Sequence, residues 1–181
     1  MSRNRIYFPG NPWAAGHGIA CFEWDAEVRD GMVWFLLHLE SDYYYAEEDI
    51  DDLDREYDSD WEAPIVWSNY HRCTISSTEW HDGGFIVCPQ SEYSLEYLHG
   101  HKFLVDSEPN KIADEEEFAF WAYLLGHDSV AQHRIKFTQR DNNYFDLDWR
   151  GKIALTYSGD EVYRYDFIAQ IYNVEAPLVA S

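Results

Sequence analysis

Basic residues are scarce in this chain. It has 13 Lys and Arg against 34 Asp and Glu, which gives a formal net charge of −21 at neutral pH. Such a field repels nucleic acid phosphates and anionic membrane surfaces, and it attracts and steers cationic partners. The composition therefore argues against binding to nucleic acid or membrane, and it favours a basic protein as the partner.

Cysteine is also scarce. The three thiols, Cys21, Cys73 and Cys88, are irregularly spaced, and an odd number without a CxxC pair is not a disulfide framework. The sequence has no apolar run as long as a signal peptide or a transmembrane helix requires. These absences predict a cytoplasmic protein whose thiols stay reduced.

Enzyme motifs are missing as well. Neither GxxxxGK[ST] nor GxGxxG occurs, which argues against a nucleotide-using enzyme. Eight His are present, including His99 and His101, but none has a zinc spacing such as HExxH. Cys73 could act as a nucleophile only if the fold placed His71 or His81 beside it. We therefore predict no cofactor, no metal and no catalytic residue, and we lean towards a non-catalytic protein.

The hydrophobic content is nevertheless high. Hydrophobic residues make up 46% and aromatic residues 18% of the 181 positions, which is more than a disordered chain carries. The length fits one domain that can bury its own core. We predict a single β domain over residues 1–181.

Turn residues and alternation of apolar and polar positions indicate many short strands. Asp30-Gly31 predicts a hairpin between 19–29 and 32–40. A second hairpin pairs 145–157, with a bulge at Gly151, with 163–171. Further strands are predicted at 65–76, 85–88, 102–106 and 134–138. Residues 114–126 fit a helix or a strand, and their aromatic content favours a strand.

These patterns sum to nine or ten strands, mostly antiparallel, each with one buried face. Two such sheets bury their apolar faces against each other, so we predict a two-sheet β-sandwich with room for one short helix. A closed β-barrel is the alternative architecture.

One segment interrupts the strand pattern. Residues 40–62 contain twelve Asp and Glu and a single base, Arg55. Asp49, Asp51 and Asp60 match positions 1, 3 and 12 of a calcium loop, but position 6 is Asp54 where such a loop needs Gly. We predict an exposed acidic insertion rather than a calcium site.

Aromatic residues accompany these acids. Tyr and Trp beside carboxylates match Arg and Lys through cation–π contacts and charge-assisted hydrogen bonds. Three consecutive Tyr cannot all point to one face of an extended chain, so we expect at least one to be exposed. The predicted contact residues for a basic partner are Tyr43, Tyr44, Tyr45, Glu47, Glu48, Asp49, Asp51, Asp52, Asp54, Tyr57 and Trp61.

We therefore expect an acidic binding protein that sequesters or inhibits a basic protein. In composition the chain resembles immunity proteins that neutralise toxins, including nucleases with basic clefts, although no motif identifies a family. Two alternatives stay open. One is a carbohydrate- or ligand-binding β domain that uses exposed aromatic rings, and the other is a metal-dependent hydrolase built on the His residues.

Overall fold

The computed structural model describes residues 4–50 and 55–179, and within them it contains ten β-strands and two short α-helices. The strands are β1 Arg5–Tyr7, β2 His17–Arg29, β3 Met32–Ser41, β4 Thr74–Ser76, β5 Phe85–Pro89, β6 Lys102–Val105, β7 Trp121–Tyr123, β8 His127–Asp141, β9 Tyr144–Ala154 and β10 Tyr165–Glu175. The helices are α1 Pro64–Ser68 and α2 Leu95–Leu98, with 3-10 turns at Gln90–Glu92, Pro109–Lys111, Glu115–Glu117 and Thr156–Ser158. Among the described residues, neither helix has the length and apolar content needed to cross a bilayer.

Eight of the described strands close into an antiparallel barrel. The hydrogen-bonded order is β2-β1-β10-β9-β8-β7-β4-β3, and β3 pairs back with β2 to complete the ring. The other two described strands lie outside this ring: β5 pairs with β3, and β6 pairs with β8. The all-β, antiparallel prediction is confirmed, but the two-sheet sandwich is wrong and its alternative, the closed barrel, forms. Both architectures bury one face of each strand, so alternation along the sequence does not distinguish them.

The barrel interior follows the predicted alternation. In β3, Val33, Phe35, Leu37 and Leu39 are fully buried and the residues between them are half-buried. The predicted hairpin around Asp30-Gly31 is confirmed, because β2 and β3 pair from Arg29↔Met32 onwards. The C-terminal hairpin is confirmed too, as the antiparallel pairing of β9 with β10.

Two short elements differ from the prediction. The predicted strand at 65–76 is helical at its start, because Pro64 occupies the first turn of α1, where its missing N–H costs nothing. Only Thr74–Ser76 of that range is a strand. Within 114–126, residues Glu115–Glu117 form a 3-10 turn capped by the Asp114 carboxylate, and the strand is confined to β7.

The irregularity predicted at Gly151 is present, because the pairing of β8 with β9 shifts register between Lys152 and Arg150. The extra residue lies on the neighbouring strand β8, where Gln132 has a φ of 53°. Gly151 instead gives room to its neighbours: a Cβ there would lie 2.5 Å from the Phe167 ring and 2.8 Å from Nδ1 of His133. The glycine at this register shift therefore also permits a close approach of two rings.

Strand direction collects the acidic connections at one end of the barrel. Strands β3 and β9 finish at this end, and β4, β8 and β10 begin there, so it carries the connections 8–16, 42–73, 124–126 and 155–164. We call it the acidic end, because the sequence of these four connections contains 13 Asp and Glu and three Arg. The connections at the opposite end, 30–31, 90–101 and 142–143, contain three acids and no Lys or Arg.

Candidate functional site

The start of the acidic segment is fixed to the barrel by buried aromatic side chains. Tyr44 is 1% exposed, its hydroxyl donates to the Leu124 carbonyl at 2.9 Å, and its ring lies 4.8 Å from Trp67. Trp13 donates from Nε1 to the Glu48 carbonyl at 2.9 Å. These bonds hold the backbone between Tyr44 and Glu48 against the acidic end.

The far part of the segment is anchored in the same way. Trp61 is 2% exposed, donates from Nε1 to the Pro9 carbonyl at 3.0 Å, and stacks on Tyr165 with ring centroids 4.2 Å apart. Trp67 donates to the Trp61 carbonyl at 2.8 Å. Tyr44 and Trp61 therefore belong to the core, and the structure does not support a partner contact by either.

The other two tyrosines of the triplet are exposed, as expected for at least one of them. The rings of Tyr43 and Tyr45 lie parallel, 6.1 Å apart, and the Tyr45 hydroxyl bonds to Nδ1 of His71 at 2.7 Å. The Arg72 guanidinium lies 4.5 Å from the Tyr43 ring and donates to Glu40 at 3.0 Å. This surface thus already holds one guanidinium of its own chain between an aromatic ring and a carboxylate.

Glu47 is engaged by the chain itself. Arg5 donates from Nη1 to both carboxylate oxygens of Glu47 at 3.1 Å. Its other nitrogens donate to the carbonyls of Ala15 at 2.8 Å and Gly16 at 2.7 Å. The Glu47 carboxylate is therefore held in place as part of the barrel end.

The remaining predicted contact residues are mostly on the surface. Glu48 and Asp49 are exposed, and Tyr57 is half-buried with the Arg55 guanidinium 5.5 Å from its ring. Asp51, Asp52 and Asp54 lie outside the described residues. Further along the segment, Asp58 and Glu62 are exposed, and the sequence-based set did not include them.

A buried imidazole lies beneath the anchored segment. His17 is 3% exposed and packs against Trp13, Tyr44 and Trp67, and its Nε2 lies 3.3 Å from Nδ2 of Asn11. Loss of solvation on burial, followed by the charge of Arg5, lowers the pKa of His17 to about 4. The neutral ring is therefore the form that the folded protein accommodates.

Acid should destabilise the protein through His17. The unfolded chain takes up a proton near pH 6.5 and the folded chain only near pH 4, so stability from this group is complete above pH 6.5 and is lost as the pH falls towards 4. Lowering the pH from 7 to 5 should therefore reduce the free energy of unfolding by about 2 kcal/mol through this group. Urea unfolding of the wild type and of His17→Gln at both pH values measures this loss. The free energy of unfolding of the variant should fall by about 2 kcal/mol less than that of the wild type. An equal pH dependence in both proteins would contradict the assignment.

Cys73, His99 and His101, which were considered for catalysis or metal binding, do not form a site together. Cys73 is fully buried, and burial raises the pKa of its thiol, so it is neither accessible nor ionised as a nucleophile must be. His99 accepts a backbone N–H from Gln139 at 3.1 Å, and His101 stacks on Tyr97. Within residues 4–50 and 55–179, no group of three or more His, Cys, Asp or Glu side chains is arranged to hold a metal ion.

A cleft on the barrel wall was missed by the sequence analysis. It has two adjoining parts of about 790 Å³ and 500 Å³, between the connections 77–84 and 109–120 and above the starts of β7 and β8. Gly83 lets the first connection pack closely, because a Cβ there would lie 2.6 Å from the Trp121 ring. We call this space the side cleft.

Aromatic rings form one wall of the side cleft. The Trp121 indole lies 4.7 Å from the His81 ring, and the Trp80 indole, 36% exposed, lies 6.3 Å from the His127 ring. At the base, Asp128 accepts backbone N–H groups at 2.9 Å and 3.5 Å, and burial raises its pKa to about 6. A carboxylate held by backbone N–H groups thus lines the same cleft as two indoles.

Comparisons with known proteins add nothing to this geometry: no family model, no curated protein and no solved structure matches the chain.

Proposed function

We propose that this protein is a non-catalytic acidic binding protein whose acidic end docks a basic protein and thereby sequesters or inhibits it. The observation that carries the proposal is the excess of acids in the four connections at that end, which contain ten Asp and Glu and three Arg among the described residues. Opposite charge on the partner would steer its approach and accelerate association, most strongly at low ionic strength.

The contact surface combines exposed carboxylates with fixed backbone. Glu48, Asp49, Asp58 and Glu62 are exposed on a segment whose ends are anchored by buried tryptophans. Backbone that is held by such bonds, as at Glu48 and Trp61, loses little conformational entropy when a partner binds. Asp51, Asp52 and Asp54, named from the sequence, belong to the same segment and stay predicted contacts.

Arg72 supports the chemistry assumed for the partner. Its guanidinium lies 4.5 Å from a tyrosine ring and 3.0 Å from a carboxylate. An arginine of the partner would need the same two kinds of contact. The basic partner we favour is a toxin or nuclease, in which carboxylates of this protein would cover a site that otherwise binds phosphate. A cytoplasmic location fits such neutralisation.

A second candidate is binding of a neutral carbohydrate. The observation that favours it is the pair of indoles, Trp80 and Trp121, on the wall of the side cleft, since sugars stack on such rings. The five carboxylates among the described lining residues suit a cation better than a neutral sugar, so we rank this function second.

Paramagnetic mapping tests the location of docking. A nitroxide-labelled peptide of ten arginines is the probe, and backbone amide spectra of the ¹⁵N-labelled protein are the readout. We expect broadening at 42–50, 55–62 and 155–164, and its loss in about 200 mM salt, where the Debye length is shorter than 10 Å. Broadening spread evenly over the outer faces of the strands would contradict the proposal.

A further inference from the structure

The side cleft is continuous with the acidic end. Tyr157, next to Thr156 in the cleft lining, donates from its hydroxyl to Asp60 of the acidic segment at 2.6 Å. Glu161, in the connection 155–164, lines the second part of the cleft. A protein docked on the acidic end would therefore lie beside the mouth of the cleft.

Acidic side chains outnumber basic ones in the cleft, where the basic groups of the described lining are the imidazoles of His81 and His127. Among the described residues that line its two parts, none is Lys or Arg. Five are acidic: Asp114, Glu115, Glu116, Asp128 and Glu161. Three of these, at 114–116, are exposed on the 3-10 turn that forms the rim, and Asp128 is at the base. An inserted cation would meet the exposed carboxylates of 114–116 and the buried carboxylate of Asp128 in the same cleft.

The aromatic wall selects among cations. A guanidinium is planar and stacks on an indole while its N–H groups reach carboxylates, whereas a hydrated metal ion gains nothing from the rings. Asp128 is oriented by the backbone N–H groups of Leu125 and Tyr157, so it presents a fixed acceptor rather than a mobile side chain. Both features match an arginine side chain.

We infer that the side cleft receives an arginine side chain of the basic protein that docks on the acidic end, held between the indoles of Trp80 and Trp121 and the carboxylates of Glu115, Glu116 and Asp128. This inference rests on the proposed function and adds to it a specific pocket for one anchoring residue. Buried arginines are frequent energetic anchors of protein interfaces, so this pocket would supply specificity that diffuse charge cannot.

The test uses two capped tetrapeptides, one of arginine and one of its neutral isostere citrulline. Titration is followed by the ¹H–¹⁵N resonances of the indole N–H groups, assigned with Trp80→Phe and Trp121→Phe. We expect tetra-arginine to shift the Trp80 and Trp121 resonances saturably, with those of buried Trp67 and Trp149 unchanged, and tetra-citrulline to shift neither.

Two matched variants distinguish binding in the side cleft from attraction by the overall charge of the protein. Glu115→Gln/Glu116→Gln should raise the dissociation constant of tetra-arginine about fivefold. Glu23→Gln/Asp25→Asn, which removes two exposed charges from the outer face of β2, should change it less than twofold. Equal weakening by the two variants would overturn the inference.

Three other outcomes are informative. Shifts confined to amides of the acidic segment, with the Trp80 and Trp121 indoles unmoved, would overturn the pocket and leave the proposed docking intact. Saturable shifts of these indoles with citrulline or with cellotetraose would make the cleft a site for a neutral ligand and would also overturn it. No binding of tetra-arginine anywhere would contradict the proposed function as well.

Discussion

Replacing Trp67 with alanine should lower the free energy of unfolding by about 3–5 kcal/mol, the usual cost of removing a fully buried large aromatic side chain. Trp67 is 0% exposed, and its indole lies within 6.4 Å of the rings of Phe8, His17, Tyr44 and other aromatic neighbours. Its N–H also satisfies the Trp61 carbonyl, which the variant would leave buried without that donor. Urea unfolding followed by circular dichroism measures the loss.

The control is Trp80→Ala, which removes the same side chain from a 36% exposed position and should cost less than about 1 kcal/mol. If Trp67→Ala does not fold, Trp67→Leu should still fold with a smaller loss. Because Trp67 holds Tyr44 and Trp61, the folded variant should also exchange the amide hydrogens of 44–48 faster. A loss no larger than that of Trp80→Ala would mean that these aromatic contacts do not support the barrel end.

The class of fold could be predicted from the sequence, and its closure could not. Alternation in 32–40 and 145–149 places apolar residues on one face, and the structure confirms these strands. Whether a set of half-buried strands forms two sheets or one closed ring depends on pairing between distant segments, such as β1 with β10. Local pattern carries no information about such pairing.

The site was predictable only in part for a similar reason. Dense charge in 40–62 was evident, but the sequence analysis could not tell which tyrosine would be buried, since that depends on Trp67 and Leu124. The side cleft was invisible, because its lining comes from separate segments around residues 80, 115, 128 and 156.

Removing four charges from the acidic end should slow association with a basic polypeptide about tenfold at low salt. The variant is Glu48→Gln/Asp49→Asn/Asp58→Asn/Glu62→Gln, in which all four side chains are exposed. The matched variant is Glu23→Gln/Asp25→Asn/Glu96→Gln/Asp141→Asn, whose four exposed carboxylates lie on the barrel wall and towards the opposite end. Both change the net charge of −21 by the same four units. Only the position of the charge differs.

Association rate constants of these two variants and the wild type with an immobilised decaarginine peptide, in about 50 mM salt, test the docking site most directly. If the acidic end is the docking surface, the first variant binds about tenfold more slowly than the wild type and the second less than twofold more slowly. Equal slowing of the two variants would mean that the whole surface attracts the peptide, and it would contradict a docking site at the acidic end.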